Sequence, residues 1–223
     1  CQDRSISLMP YWYAPYINKA LFQFWRGNLS KARNTLFQAE ENTGKNFDRF
    51  RAELDLHEGK YESAVRNIEL ANEQEFKDLE ESTGFAYLIK AKICKHAGML
   101  DQAEENYRKA AEYYMLQVTN NPMNYYARSK LAIAFANLGE KQKAIESAEK
   151  AYEIGNEVNS AVIFPTILYD MSQTYALIDD YDSSINILQK LLETNSPYTS
   201  EFIKTDPDLK PLFNDSRPKI ANL

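Results

Sequence analysis

Four small residues return in the same order and at the same spacing along this chain: Ala132, Gly139, Ala144 and Ala151, separated by seven, five and seven positions. The set recurs as Ala20, Gly27, Ala32 and Ala39, as Ala52, Gly59, Ala64 and Ala71, and as Ala91, Gly98, Ala103 and Ala110. A fifth copy, Ser172, Asp179, Ser184 and Leu191, keeps the spacing but loses most of the identities. Such a pattern predicts pairs of helices. Two helices approach to roughly 8 Å only where the contact residues are small, and a glycine past a helix end supplies the left-handed turn that stops it. The expected fold is therefore all-α, about five helix–turn–helix units stacked so that each covers the next one's apolar face.

The remaining segments fit around these units. Residues 1–12 hold Pro10 and little periodicity, so they are expected to be an irregular lead-in. The array occupies 13–198 and a capping segment 199–223. Repeat one runs to about Asn42 and repeat two takes Asn46–Gln74. Repeat three begins near Leu79 and stops at Asn120-Asn121-Pro122. Repeat four is Tyr125–Ile154, and repeat five starts at Phe164-Pro165, or at Asn159 with Pro165 as a kink, and turns at Asp179-Asp180. Gly27, Gly44, Gly59, Gly84, Gly98, Gly139 and Gly155 fall between or at the ends of these helices. Because Gly and Pro cost ~1 and ~3 kcal/mol inside a helix, that placement agrees with an all-helical chain.

Little in the sequence points to chemistry. With a net charge of −6 and no single-sign run, a nucleic-acid surface is not expected. No apolar run approaches the ~20 residues needed to cross a bilayer. There is no HExxH, CxxC, GxSxG or Gly-rich phosphate loop. His57 and His96 each lie five positions after a repeat's first alanine, hence at equivalent places on adjacent first helices. That separates them by ~10 Å, too far for one zinc at bonds of ~2 Å. The expectation is no catalytic residue, no metal and no cofactor. Cys94 reads as a small buried hydrophobe.

The alanine and glycine spacing resembles tetratricopeptide-repeat proteins over residues 13–198. The resemblance implies a right-handed superhelical solenoid. The chain departs from the family's 34-residue period, since its first small residues lie 32, 39, 41 and 40 positions apart. Those longer spacings resemble the arrays of bacterial signalling proteins and transcription activators. The tail also resembles the last segment of bacterial multidomain regulators, on Asp206-Pro207, Pro211-Leu212, Asp215 and Arg217, and departs where Pro218 replaces an aromatic. Physically, Phe202, Ile203, Leu209, Leu212 and Phe213 suit the exposed apolar edge of repeat five.

In that family the first helices line the concave face. Carried onto this chain, the resemblance implies a peptide-binding groove made of Arg49, His57, Lys92, Lys95, His96, Tyr126, Ser129, Asn137, Tyr169 and Gln173. Its cations and tyrosines suit a protein or peptide partner of some acidic character; the other reading is that these are ordinary solvated helix faces. The expected function is a non-enzymatic interaction scaffold, the interaction or sensory region of a cytoplasmic bacterial regulator. The alternative is a lipid-anchored envelope assembly factor with Cys1 acylated, against which stands a domain boundary that happens to fall at Cys1. Tyr11, Trp12, Tyr13, Tyr16, Phe22, Phe24 and Trp25 crowd the array's start. Either residues 1–12 fold back over them, or an upstream domain or second copy docks there.

Overall fold

A computed structural model describes residues 2–71, 82–158, 160–161 and 163–214 of the chain. Every regular element among these is a helix: α1 Gln2–Leu8, α2 Ala14–Trp25, α3 Leu29–Thr43, α4 Asp48–His57, α5 Tyr61–Leu70, α6 Ser82–His96, α7 Leu100–Asn120, α8 Tyr125–Asn137, α9 Lys141–Val158, α10 Ile163–Leu177, α11 Tyr181–Glu193, α12 Ser200–Thr205 and α13 Lys210–Phe213. Ten of them, α2 to α11, form five antiparallel pairs, and the densest packing in the molecule lies within and between consecutive pairs. Expectations that rested on Cys1, Gln74, Leu79, Asn159, Asp215, Arg217 and Pro218 lie outside the described residues.

The recurring small residues sit where two helices touch, as their spacing implies. Ala20, Ala32, Ala52, Ala64, Ala91, Ala132 and Ala144 have no exposed surface. Each turn closes with the same pair of hydrogen bonds. The amide after the turn residue reaches five positions back, as in Lys60 to Asp55 and Glu140 to Phe135, at 2.8 and 2.9 Å. The turn residue's own amide reaches three positions back, as in Gly59 to Leu56. This is a Schellman closure, which needs a left-handed residue at its corner.

Repeat five keeps the closure without the glycine. Asp179 takes the corner at φ 67°, and Asp180 N–H donates to Tyr175 O at 2.9 Å. Short polar side chains tolerate that conformation better than most. Its two serines stand where alanines stand elsewhere, and both are fully buried. Ser184 Oγ donates to the Ser172 carbonyl at 2.8 Å, so the added hydroxyl is satisfied across the helix pair. The degraded copy therefore packs like the others.

Two local expectations are corrected. The lead-in is not irregular, because residues 2–8 form α1, which packs on α2 and carries an exposed Asp3–Lys19 ion pair at 2.6 Å. The aromatic cluster is covered only in part: Tyr16 and Phe24 are buried, Phe24 against Phe50, His57 and Phe202, while Tyr11, Trp12 and Phe22 stay exposed. Gly155 does not end its helix, since α9 continues to Val158. A Cβ there would fall 2.2 Å from Ile167 Cδ1, so the glycine serves the close approach of α9 to α10 rather than a stop.

The core shows how the array is closed. One cluster runs through repeats three to five, and a second joins α5 to α4 and α6. The third joins α2, α3 and α4 to α10 and α11 through the tail residues Phe202, Ile203, Leu209 and Leu212. All four tail side chains are buried. They share a core with repeat five, whose exposed apolar edge they were expected to cover, and they bridge it to the first repeats as well.

Candidate binding face inside the superhelix

The first helix of every pair, α2, α4, α6, α8 and α10, turns one face inward, and these faces wall a chamber of about 620 Å³. Of the residues expected to form a groove, Arg49, His57, Lys92, Tyr126, Tyr169 and Gln173 line it. Glu53, Phe85, Ile133 and Thr166, which share the same helical positions, line it too. One side of the chamber is the tail, with Tyr198, Phe202, Asp206 and Asp208.

The tail enters as a built ligand of the inner face. Thr199 caps α12 by accepting from Phe202 N–H at 3.3 Å, and α12 ends at Thr205. The chain then turns through Asp206-Pro207-Asp208, with Asp208 N–H donating to Asp206 Oδ1 at 2.9 Å. Asp206 is fully buried and meets side chains from two first helices. Lys92 Nζ donates to its Oδ1 at 2.7 Å, Gln173 Nε2 to its Oδ2 at 2.6 Å, and the Tyr169 hydroxyl to the same oxygen. Asp208 receives Lys92 at 3.0 Å, Lys95 at 2.9 Å and His96 Nε2 at 2.8 Å. Gly27 is close to the tail as well: a Cβ on it would fall 2.7 Å from Glu201 Cβ.

These contacts set the charge states. Burial opposes the carboxylates of Asp206 and Asp208, but Lys92 beside both of them holds each below the usual range, Asp208 well below it with Lys95 and His96 adding to the pull. Burial likewise opposes the Lys92 ammonium, and the two aspartates outweigh it, so Lys92 is held in its charged form. The Lys130 ammonium, which meets Asp170 Oδ1 and Oδ2 at 2.9 and 2.7 Å, is shifted upward in the same way.

His57 behaves differently. Thr205 Oγ1 gives its proton to the Phe202 carbonyl at 2.7 Å, so His57 Nδ1, 2.9 Å from that oxygen, must be the donor. Its ring stacks on Phe202 with centroids 5.1 Å apart, and Phe24 meets it edge-on at 4.7 Å. Burial lowers its pKa from 6.5 to about 4, with Asp206 pulling the other way. Between those values the unfolded chain takes a proton that the folded chain refuses. His57 thus contributes stability that is complete above pH 6.5 and lost as pH falls towards 4. The shift corresponds to about 3 kcal/mol. Urea unfolding at pH 7, 5.5 and 4.5 should show that loss in the natural chain, and His57→Gln should flatten it; an unchanged slope in the variant would count against this assignment.

The other expected residues sit elsewhere. Lys95 and His96 grip Asp208, outside the chamber wall. Asn137 accepts from Lys95 at 2.8 Å and donates to the Ile133 carbonyl at 2.9 Å. Ser129 is buried and donates to Asp170 Oδ2 at 2.8 Å. Sequence reasoning missed Lys130 and Asp170, which lie one position beyond the Ser129 and Tyr169 it named, and placed Asp206 in a capping motif rather than on the inner face.

Compared by sequence, the chain matches no family model and no curated protein. Compared by structure, it is similar to the thermophilic TPR protein TTC0263 of Thermus thermophilus, with a TM-score of 0.54 and 14% identity over 89% of this chain and 100% of that one. It aligns more loosely with YrrB, described as a TPR protein with an unusual peptide-binding site, at a TM-score of 0.41 and 16% identity over 96% of each chain. MamA gives a TM-score of 0.34 and 17% identity over 81% of this chain and 90% of its own. Five helix pairs with small contact residues, a Schellman closure at each turn, and the first of these likenesses lead to one conclusion: the chain has the tetratricopeptide-repeat fold.

Proposed function

We propose that the chain is a non-enzymatic scaffold that binds a protein or peptide partner on the inner face of its superhelix. The observation that carries this reading is the chamber of about 620 Å³, to which all five first helices contribute side chains beside a stretch of the chain's own tail. A volume of that size accommodates several side chains of a partner. Its wall mixes rigid aromatic rings, such as Phe85, Tyr126 and Tyr169, with fixed charges. That combination suits recognition, because rings bury area at little entropic cost and the charges set orientation.

The finer reading is that this scaffold serves as the interaction or sensory region of a bacterial regulator. It rests on the long repeat spacing and on the Asp206-Pro207 and Pro211-Leu212 segment of the tail. Finding a kinase, cyclase or DNA-binding domain encoded in the same reading frame is the expected result for this part.

Photocrosslinking tests the face itself. A benzoylphenylalanine at Phe85 lies in the chamber wall, and one at Lys109 lies on the exposed side of α7. Adducts with the same partner are expected at position 85 and not at 109. Adducts at 109 alone would move the partner to the convex side and sink the proposal.

A further inference from the structure

The lysines of this face that could serve an acidic partner are already engaged by this chain. Lys92 meets Asp206 and Asp208, Lys95 meets Asp208, and Lys130 meets both oxygens of Asp170. An anionic ligand would have to compete with carboxylates that are covalently part of the fold, at separations of 2.7–3.0 Å.

The spare capacity of the wall lies on the other side of the charge balance. Glu53 sits in the chamber wall, and among the described residues only its Oε1 has a partner, the Arg49 guanidinium. Among the described residues its second oxygen is an acceptor without one. Burial raises the Glu53 pKa in spite of Arg49, Lys92 and Lys130, so a further positive charge nearby would relieve rather than strain it. The Tyr107 hydroxyl in the same wall is buried and has no hydrogen-bond partner among the described residues. A phenol oxygen also accepts. The apolar part of the wall is largely aromatic, with Trp25 and Tyr198 packed 6.0 Å apart on the tail side. A carboxylate that shares a chamber with aromatic rings suits a cation, because ring faces and the carboxylate both attract positive charge; Phe85 and Tyr126 already face Arg49 and Lys130, which leaves the rings on the tail side.

We propose that the chamber takes a primary ammonium group carried on an apolar or aromatic stem, with Glu53 as its counter-ion. This rests on the inner face being the binding face. A lysine side chain of a partner peptide and a free amine share this chemistry.

Intrinsic fluorescence reads the site directly. The chain has two tryptophans, so Trp12→Phe leaves Trp25 in the chamber wall as the sole reporter. Trp12 is half exposed, so this change leaves the fold intact. The probes are 2-phenylethylamine, 3-phenylpropionamide and 3-phenylpropionate, which share a body and differ in charge. The amine should bind at least about fivefold tighter than the amide and the acid, and Glu53→Gln should bring the three to within about twofold. A second arm uses acetyl-Leu-Lys-Phe-amide and its norleucine counterpart. A response to the lysine peptide in place of the amine assigns the cation to a partner protein; a response to the amine alone assigns it to a small molecule. An acid that binds as well as the amine, or a ranking that survives Glu53→Gln, overturns the proposal. In that case a Trp25 response to the amide or the norleucine peptide would still leave the inner face as the binding face. Silence from all probes at about 10 mM, weaker than any specific recognition of this kind, overturns the ammonium site, and the crosslinking result then decides the face independently. The ranking in the Glu53-containing chain decides the charge by itself, so the test stands even if Glu53→Gln fails to fold.

Discussion

A chain ended at Tyr198 should lose protection in its first repeat, more than a hundred residues from the cut. In an open stack of repeats each unit touches only its neighbours, so removing the C-terminal segment would loosen α10 and α11 and leave α2 and α3 unchanged. This molecule is not open in that sense. Phe202 meets Phe24 of α2 with ring centroids 5.1 Å apart, and it meets His57 of α4 at the same distance. Glu201 lies against the turn at Gly27. Truncation also strands Lys92, whose two carboxylate partners are both in the removed segment. An unpaired buried cation alone costs about 3–5 kcal/mol, and the emptied apolar seat of Phe202, Ile203, Leu209 and Leu212 adds to it. Against a total stability of roughly 5–15 kcal/mol, the truncated chain should be largely unfolded at 37 °C. Hydrogen exchange at lower temperature separates the two pictures. Loss of amide protection in α2 and α3 is the expected result; protection lost only in α10 and α11 would mean that the array is open and the tail merely local.

How far such a closure could be read in advance depends on sequence distance. The helix pairs were legible because their determinants are close together: an alanine, a glycine seven positions on, and the facing alanine five beyond that. Asp179 was legible for the same reason, since it occupies the glycine's place in the spacing even without being a glycine. The inner-face residues Arg49, Lys92 and Gln173 followed from the family resemblance, which assigns the concave face to set positions of each first helix once the pairs are fixed. Lys92 and Asp206, by contrast, are 114 positions apart, and His57 and Thr205 are 148 apart. No local pattern couples them. Asp206 and Asp208 look like solvated acids in a polar tail, and Lys92 looks like a solvated base on a helix. Only the curvature of the whole array brings Lys92 to 2.7 and 3.0 Å from those two carboxylates. The same limit applies to Lys130 and Asp170, 40 positions apart on first helices of adjacent repeats. Their pairing depends on the rotation between repeats, which the spacing of alanines leaves free.

Replacing Lys92 by methionine should cost about 3–5 kcal/mol at pH 7 and reverse the pH dependence of the tail's attachment. Methionine keeps an unbranched stem of similar length, so packing is largely preserved and the charge is what is removed. In the natural chain burial is the largest influence on the Asp206 and Asp208 carboxylates, and Lys92 together with the other partners more than offsets it, holding both below their ordinary range. The folded state then binds fewer protons than the unfolded one. Their contribution is present above the unfolded carboxylate value of about 4 and is lost as pH falls below it. Without Lys92 the balance changes sign at Asp206. Burial is the largest influence on it and raises its pKa, Asp208 repels it, His57 pulls the other way only when protonated and burial opposes that, and Tyr169 and Gln173 are neutral donors. The folded state of the variant should therefore take up a proton that the unfolded state releases, so its stability improves as pH falls from 7 towards 5. Lys92 is also one of the charges that lower the His57 pKa, so its removal lets His57 take up a proton more readily and narrows the gap in the same direction; making the comparison in a His57→Gln background isolates the Asp206 part. The quantity to measure is the gap in unfolding free energy between natural and Lys92→Met protein at pH 7 and pH 5. A gap that narrows at pH 5 is expected, and Lys92→Met with Asp206→Asn should narrow it at pH 7 as well, because the neutral amide no longer needs a counter-ion. A variant within about 1 kcal/mol of the natural chain at pH 7 would mean that water or another cation takes over from Lys92. That outcome would make the tail's charges incidental and leave its four apolar side chains as the whole of the lock.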